Sequence, residues 1–190
     1  YTDQPDEEYS IPLMASDIVR LLKVLGIEKA HVAGLSMGGF IAQEIALSHP
    51  DMVDRLVLIA TGMGGERSLA LGKPFWDRVT REILGKTPEQ IYRIDLTLMA
   101  APGFAAAHPD VIEKATLLRL KKAQPLYAFL RQLNACNVFD INDRAQNITR
   151  PALIILGQDD PLFPIVLSEE YRKKMPDAKM IIYENCGHAI

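Results

Sequence analysis

Residues 30–43, Ala30-His31-Val32-Ala33-Gly34-Leu35-Ser36-Met37-Gly38-Gly39-Phe40-Ile41-Ala42-Gln43, decide the fold. Positions 30–35 form a short, nearly unbroken apolar run. A run of this length with no polar alternation predicts a strand buried on both faces, usually in a parallel sheet. Phe40, Ile41, Gln43, Glu44, Ile45, Ala46 and Leu47 then read as a helix closed by His49-Pro50. Ser36 stands at the change from strand to helix. Such a turn can hold a serine in a strained conformation with its hydroxyl above the sheet. Gly34 and Gly38, two positions to either side, are expected to let the chain pass closely without Cβ clashes. The N-terminal N–H groups of the following helix point at the turn, where they stabilise developing negative charge.

Working outward, three more apolar runs occur at 56–60, 152–156 and 180–183. None alternates apolar with polar residues, so each predicts a buried strand. Met14, Ile18, Leu21, Leu22 and Leu25 repeat at helical spacing, and Gly26 follows as a helix stop. Residues 164–175 carry Pro at the start, Glu169-Glu170 early and Arg172-Lys173-Lys174 in the last turn, which suits the helix dipole. Strands alternating with helices predict right-handed crossovers and an α/β fold, a mostly parallel sheet with flanking helices. The interval 63–150 breaks the rhythm. It shows helical patterns near 75–84, 88–99, 111–120 and 126–133, punctuated by Pro74, Gly85, Pro88, Pro102, Gly103, Pro109 and Pro125. The expected organisation is therefore core at 1–62, a helical insertion at 63–150, and core again at 151–190.

Composition narrows the function. The 190 residues are 48% hydrophobic, as in an ordinary globular chain, and carry a formal net charge of −3. No stretch is dominated by Lys or Arg, so nothing predicts nucleic-acid binding. Cys136 and Cys186 make neither a disulfide framework nor a four-ligand zinc site, and no other metal cluster is evident. Residues 34–39 lack the Gly-x-Gly-x-x-Gly spacing of a dinucleotide site, so no cofactor is expected. No apolar run approaches the ~20 residues that cross a bilayer, and a cytoplasmic location is the expectation.

Ser36 is a weak nucleophile until a base takes its proton. Of the four histidines, His31 falls within a strand, His49 precedes Pro50, and His108 lies in a loop of the insertion; packing or surface polarity accounts for each. His188 differs, because Asn185-Cys186-Gly187-His188 follows the last strand and so falls at the sheet edge where Ser36 should stand. A carboxylate that orients the base is expected after the third strand, in Gly157-Gln158-Asp159-Asp160-Pro161, where either aspartate could serve. The second strand is followed by Thr61-Gly62-Met63-Gly64, with no acid.

The order Ser36, acid, His188, each after its own strand, is the order of the α/β-hydrolases. The chain resembles that family's esterase and lactonase members along its whole length, more weakly through the insertion. The matching stretches are 9–17, 34–39 and 49–58, together with Gly-x-x-Asp-x-x-x-Pro on Gly157, Asp160 and Pro164 and Gly-His on Gly187-His188. The resemblance selects Asp160 over Asp159 and implies a cap formed by the insertion. It implies a carboxylesterase with a Ser36–Asp160–His188 triad, an acyl-enzyme intermediate, and the Met37 N–H as an oxyanion donor. A small-molecule ester or lactone would be the substrate. A serine nucleophile makes the family's dehalogenases and epoxide hydrolases a poorer match. A carbon–carbon bond hydrolase using the same three residues, or a hydrolase-like binding module without turnover, are the alternatives. In the family, roughly half the sheet and a His-Gly-type loop with the second oxyanion donor precede this region, and a helix follows the histidine. The expectation is therefore that this piece is cut from a longer hydrolase, lacks that second donor, and is inactive alone or self-associates through the apolar edge at 30–35. Phe75, Trp76, Met99, Phe104, Tyr127, Phe129, Leu162 and Phe163 are the apolar candidates for substrate contact, most of them packing residues, while the two cysteines are read as ordinary thiols.

Overall fold

The computed structural model describes residues 3–189. Strands β1 (Ala30–Leu35), β2 (Val53–Ile59), β3 (Ala152–Gly157) and β4 (Lys179–Tyr183) form one parallel sheet in the order β1-β2-β3-β4. Helix α1 (Ile11–Val24) precedes the sheet and α2 (Met37–Ser48) joins β1 to β2. Between β2 and β3 lie α3 (Gly65–Ile83), α4 (Pro88–Met99), α5 (Phe104–Ala107), α6 (Pro109–Lys121) and α7 (Leu126–Asn137); α8 (Ser168–Lys174) joins β3 to β4. Leu35 pairs with Ile59, Ile59 with Ile155, and Gly157 with Tyr183, so the strands finish nearly level. The loops after them therefore open at one edge, the usual place for a site in an open α/β sheet.

Local sequence explains the helix ends. The Ser10 hydroxyl accepts from the Leu13 N–H at 3.2 Å to cap α1, and Gly26, at φ +70°, takes the left-handed conformation that stops it. Thr87 and Gln90 form a reciprocal capping box at the start of α4. The 164–175 pattern resolves into a 3-10 turn over Ile165–Leu167 followed by α8, with its acids first and bases last. The core packs Phe40 of α2 against Phe139 at 4.5 Å between ring centres and edge-on to Phe163 at 5.8 Å. One apolar cluster thus joins α2, the approach to β3 and the loop after it.

Three expectations are corrected. The strands are not all buried on both faces. Residues of β1 alternate in exposure, those of β4 are mostly exposed, and the His31 side chain is 65% exposed with Nδ1 3.1 Å from Asp54. Both strands are edges of the described sheet, and of its four strands β1 and β2 are the ones α2 covers most. Strand β2 begins at Val53 rather than 56, because its half-exposed Asp54 and exposed Arg55 hide the start from a search for apolar runs. Pro74 interrupts nothing. It lies inside α3, which begins at Gly65. An internal proline costs about 3 kcal/mol. The continuing helix buries Phe75 and Val79, at about 1.5–3 kcal/mol each, so packing prevails.

Candidate active site

Ser36 sits at φ 53°, ψ −121°, a conformation that costs a non-glycine residue about 1–3 kcal/mol. Hydrogen bonds hold it there. Its N–H donates to Ile59 O at 2.9 Å, and its carbonyl accepts from the Gly39 N–H at 2.8 Å and from the Thr61 hydroxyl at 2.9 Å. A Cβ on Gly34 would overlap the Gly38 carbonyl, and one on Gly39 would lie 2.5 Å from Thr61 Cγ2. A Cβ on Gly38 would meet nothing within 4 Å. The close passage expected of Gly34 and Gly38 therefore belongs to Gly34 and Gly39. Beneath the turn, the fully buried Gln43 donates to Gly39 O at 3.1 Å and Gly62 O at 2.9 Å, and the Tyr171 hydroxyl reaches Gly62 O at 2.9 Å. Sequence reasoning missed Thr61, Gln43 and Tyr171, whose partners are backbone carbonyls that carry no side-chain signature. Met37 is the first residue of α2, so its N–H has no acceptor within the helix.

The loop after β3 buries Asp160, while Asp159 is exposed. Asp160 Oδ1 accepts from the N–H groups of Leu162 and Phe163, each at 2.8 Å, in a turn of the type Asp favours. Its other oxygen, Oδ2, lies 2.9 Å from His188 Nδ1. The turn-capping role and the histidine contact, open alternatives for the two aspartates, thus fall on one residue. With a carboxylate at Nδ1, the neutral imidazole carries its proton there and leaves Nε2 as an acceptor. His188 is buried, and its ring stacks on Phe163 at 5.6 Å and 26°.

Ser36 and Phe163 line one cavity of about 100 Å³, with Met37, Phe40, Trp76 and Leu162 among its walls. Phe163 thus spans from the Ser36 cavity to the His188 ring. Among the described residues, the hydrogen bonds include the Asp160–His188 contact and none from the Ser36 hydroxyl to the imidazole. Of the other apolar candidates, Phe75 is buried edge-on against Trp76, Phe104 lies tilted against His108, Phe129 is exposed, and the Tyr127 hydroxyl donates to Gln4 O. Leu69 and Gly72 of α3 and Leu133 and Cys136 of α7 also line the cavity, each pair at the helical spacing that could have revealed it.

Burial pushes the Cys136 thiol up to about 11, so it presents a neutral, apolar wall near pH 7. Cys186 is raised as well, by burial first and then by Asp160 and Asp159. Both cysteines are free. Among the described residues, no group of three or more His, Cys, Asp or Glu could hold a metal, and no helix is long and apolar enough to cross a membrane.

A parallel sheet with a serine at the first strand-to-helix turn and an Asp–His pair after later strands defines an α/β-hydrolase arrangement. The family model described as the alpha/beta hydrolase fold matches residues 1–190, and the chain belongs to that family. It is 29% identical over 180 residues to a protein of Azorhizobium caulinodans named "Putative carbamate hydrolase RutD", covering 95% of this chain and 67% of that one. The protein of the same name from Shigella flexneri is 30% identical over 183 residues, covering 96% and 68%. Among solved structures, a thermophilic esterase from Thermogutta terrifontis superposes with a TM-score of 0.73 at 25% identity, covering 96% of this chain and 66% of that one.

Proposed function

We propose that the protein is a serine hydrolase that cleaves a carboxylic ester, or a lactone, through an acyl-enzyme. The observation that carries this reading is the buried contact of Asp160 with His188 Nδ1, which leaves Nε2 free to act as base at the edge where Ser36 is held in its strained turn. Ser36 Oγ attacks the ester carbonyl while His188 Nε2 takes its proton; the carbonyl π electrons move to oxygen, and the Met37 N–H donates to that oxyanion. His188 returns the proton to the leaving alkoxide as the C–O bond breaks. Water, deprotonated by His188, then attacks the acyl-enzyme; as the acyl–Oγ bond breaks, His188 returns that proton to Ser36 and the acid is released. Asp160 holds the imidazole tautomer and supports the imidazolium. Helices α3 to α7 act as a cap at 63–150, with Trp76 and Leu133 limiting the acyl group beside Ser36.

The carbamate-hydrolase name of the relatives favours a second substrate class. A carbamate is also an acyl carbonyl open to the same attack, with nitrogen on one side. A panel of an aryl ester, a lactone, an aryl carbamate and a vinylogous diketone separates the readings by product. The test of the mechanism is a fluorophosphonate. It should form one adduct on Ser36 and none in Ser36→Ala, and turnover of the preferred panel member should be lost in the same variant. Turnover that persists in Ser36→Ala would falsify the proposal.

A further inference from the structure

We infer that the end of α4, in the helical insertion, positions the base. His188 is seated by backbone contact with Met99-Ala100-Ala101, and Gly187 is the residue that permits it. The inference rests on the reading of His188 as the base.

The His188 N–H donates to Met99 O at 2.7 Å, and the Ala189 N–H reaches the same oxygen at 3.2 Å. Met99 ends α4, so its carbonyl is one of those a helix leaves without an intrahelical partner, and here the histidine loop takes it. The approach is close. A Cβ on Gly187 would overlap Met99 O and lie 2.6 Å from Ala100 C and 2.7 Å from Ala101 N, all backbone atoms that no rotamer change can move. Gly187 is not among the positive-φ glycines, so space rather than conformation demands glycine there.

The loop is gripped from its other side by the core. A Cβ on Gly157, at the end of β3, would overlap the carbonyls of Cys186 and Gly187, and the Asp159 N–H donates to Cys186 O at 2.9 Å. The His188 ring is therefore set by core residues, Asp160 and Phe163, while its backbone is set by the insertion. Helix α4 in turn packs on α3 and α6, and Arg93 bridges to Glu113 of α6 at 2.7 Å. Seating of α4 and placement of the imidazole are thus one event: when the helix end lifts, the base loses the partner of its own amide.

Gly187→Ala should lower kcat by about 10²-fold, the cost of a displacement of about 1 Å in a reacting group. KM should stay within about threefold, because the cavity beside Ser36 contains neither residue 187 nor Met99. The proton shared by His188 Nδ1 and Asp160 should shift or broaden in the NMR spectrum, a change that loss of packing elsewhere would not produce. His188→Ala is the companion. If it reacts with the fluorophosphonate at Ser36 as fast as the unsubstituted protein, His188 is not the base and this inference falls with that reading. If His188→Ala is unreactive and Gly187→Ala keeps both kcat and the imidazole proton, the reading stands and this inference is overturned. Amide exchange in the unsubstituted protein decides the matter even if Gly187→Ala does not fold. The His188 amide should be protected and open together with the Ala100 amide, which donates to Leu96 O. A freely exchanging His188 amide in a protein whose α4 is intact overturns the inference.

Discussion

Ser36 and His188 are held in opposite ways. The groups in direct contact with the Ser36 turn, Gly34, Gly39, Ile59 and Thr61, come from β1, α2, the end of β2 and the loop just after it. His188 is held by two parts of the chain far from each other in sequence: residues 157–163, with Asp160 and Phe163 on its ring and Gly157 behind its loop, and Met99 on its amide. A turn specified locally stores its strain where it forms. A group specified by docking depends on whether distant pieces stay docked. Ser36 should therefore respond to local changes through stability, and His188 to distant ones through rate.

The largest effect is expected at His188, the proposed base. Asp160→Asn keeps an acceptor for the Leu162 and Phe163 N–H groups but can present an amide to Nδ1, favouring the wrong tautomer. A fall in kcat of about 10⁴-fold is expected, as for the equivalent change in a Ser-His-Asp protease. A loss below tenfold in a steady-state assay would show that Asp160 does not orient the imidazole. Gly34→Ala tests the local side. Its Cβ meets backbone in the Gly38 carbonyl, so about 3 kcal/mol of stability should be lost in urea denaturation. Gly38→Ala is the control. Residue 38 is helical with open space around it, so the change should cost nothing and can add up to about 1 kcal/mol through helix propensity. Equal damage from both would contradict this account of the turn.

Smaller effects sharpen the picture. Thr61→Val removes the hydroxyl that donates to Ser36 O and should cost about 1–2 kcal/mol, read from the denaturation midpoint. Cys136 supplies a pH test. Its thiol, ordinarily near 9, is raised to about 11 by burial in the folded protein. Between those values the unfolded chain binds fewer protons than the folded one, so stability should fall as pH rises from 9 towards 11. Cys136→Ala should flatten that fall relative to the unsubstituted protein. Identical pH slopes would place the thiol outside the buried environment described.

What sequence made legible follows the same division. The apolar runs located all four strands, and the residues following them located Ser36, the Asp159-Asp160 pair and His188. Between the two aspartates, composition and spacing could not decide; the family pattern pointed to Asp160, which the turn through Leu162 and Phe163 directs inward. Helices of the insertion were readable from periodicity, but Pro74 misled because buried neighbours outweigh its cost. The contacts of Thr61 with Ser36 and of Met99 with His188 left no trace. Each ends on a backbone carbonyl, which every residue possesses, so no residue identity announces it.

The most direct test is mass spectrometry of the protein treated with a fluorophosphonate, compared with His188→Ala treated in the same way. A single phosphonyl group on Ser36 is expected in the first, and a rate of labelling lowered by orders of magnitude in the second. An adduct on another residue, or equal labelling of Ser36 without the histidine, would contradict it.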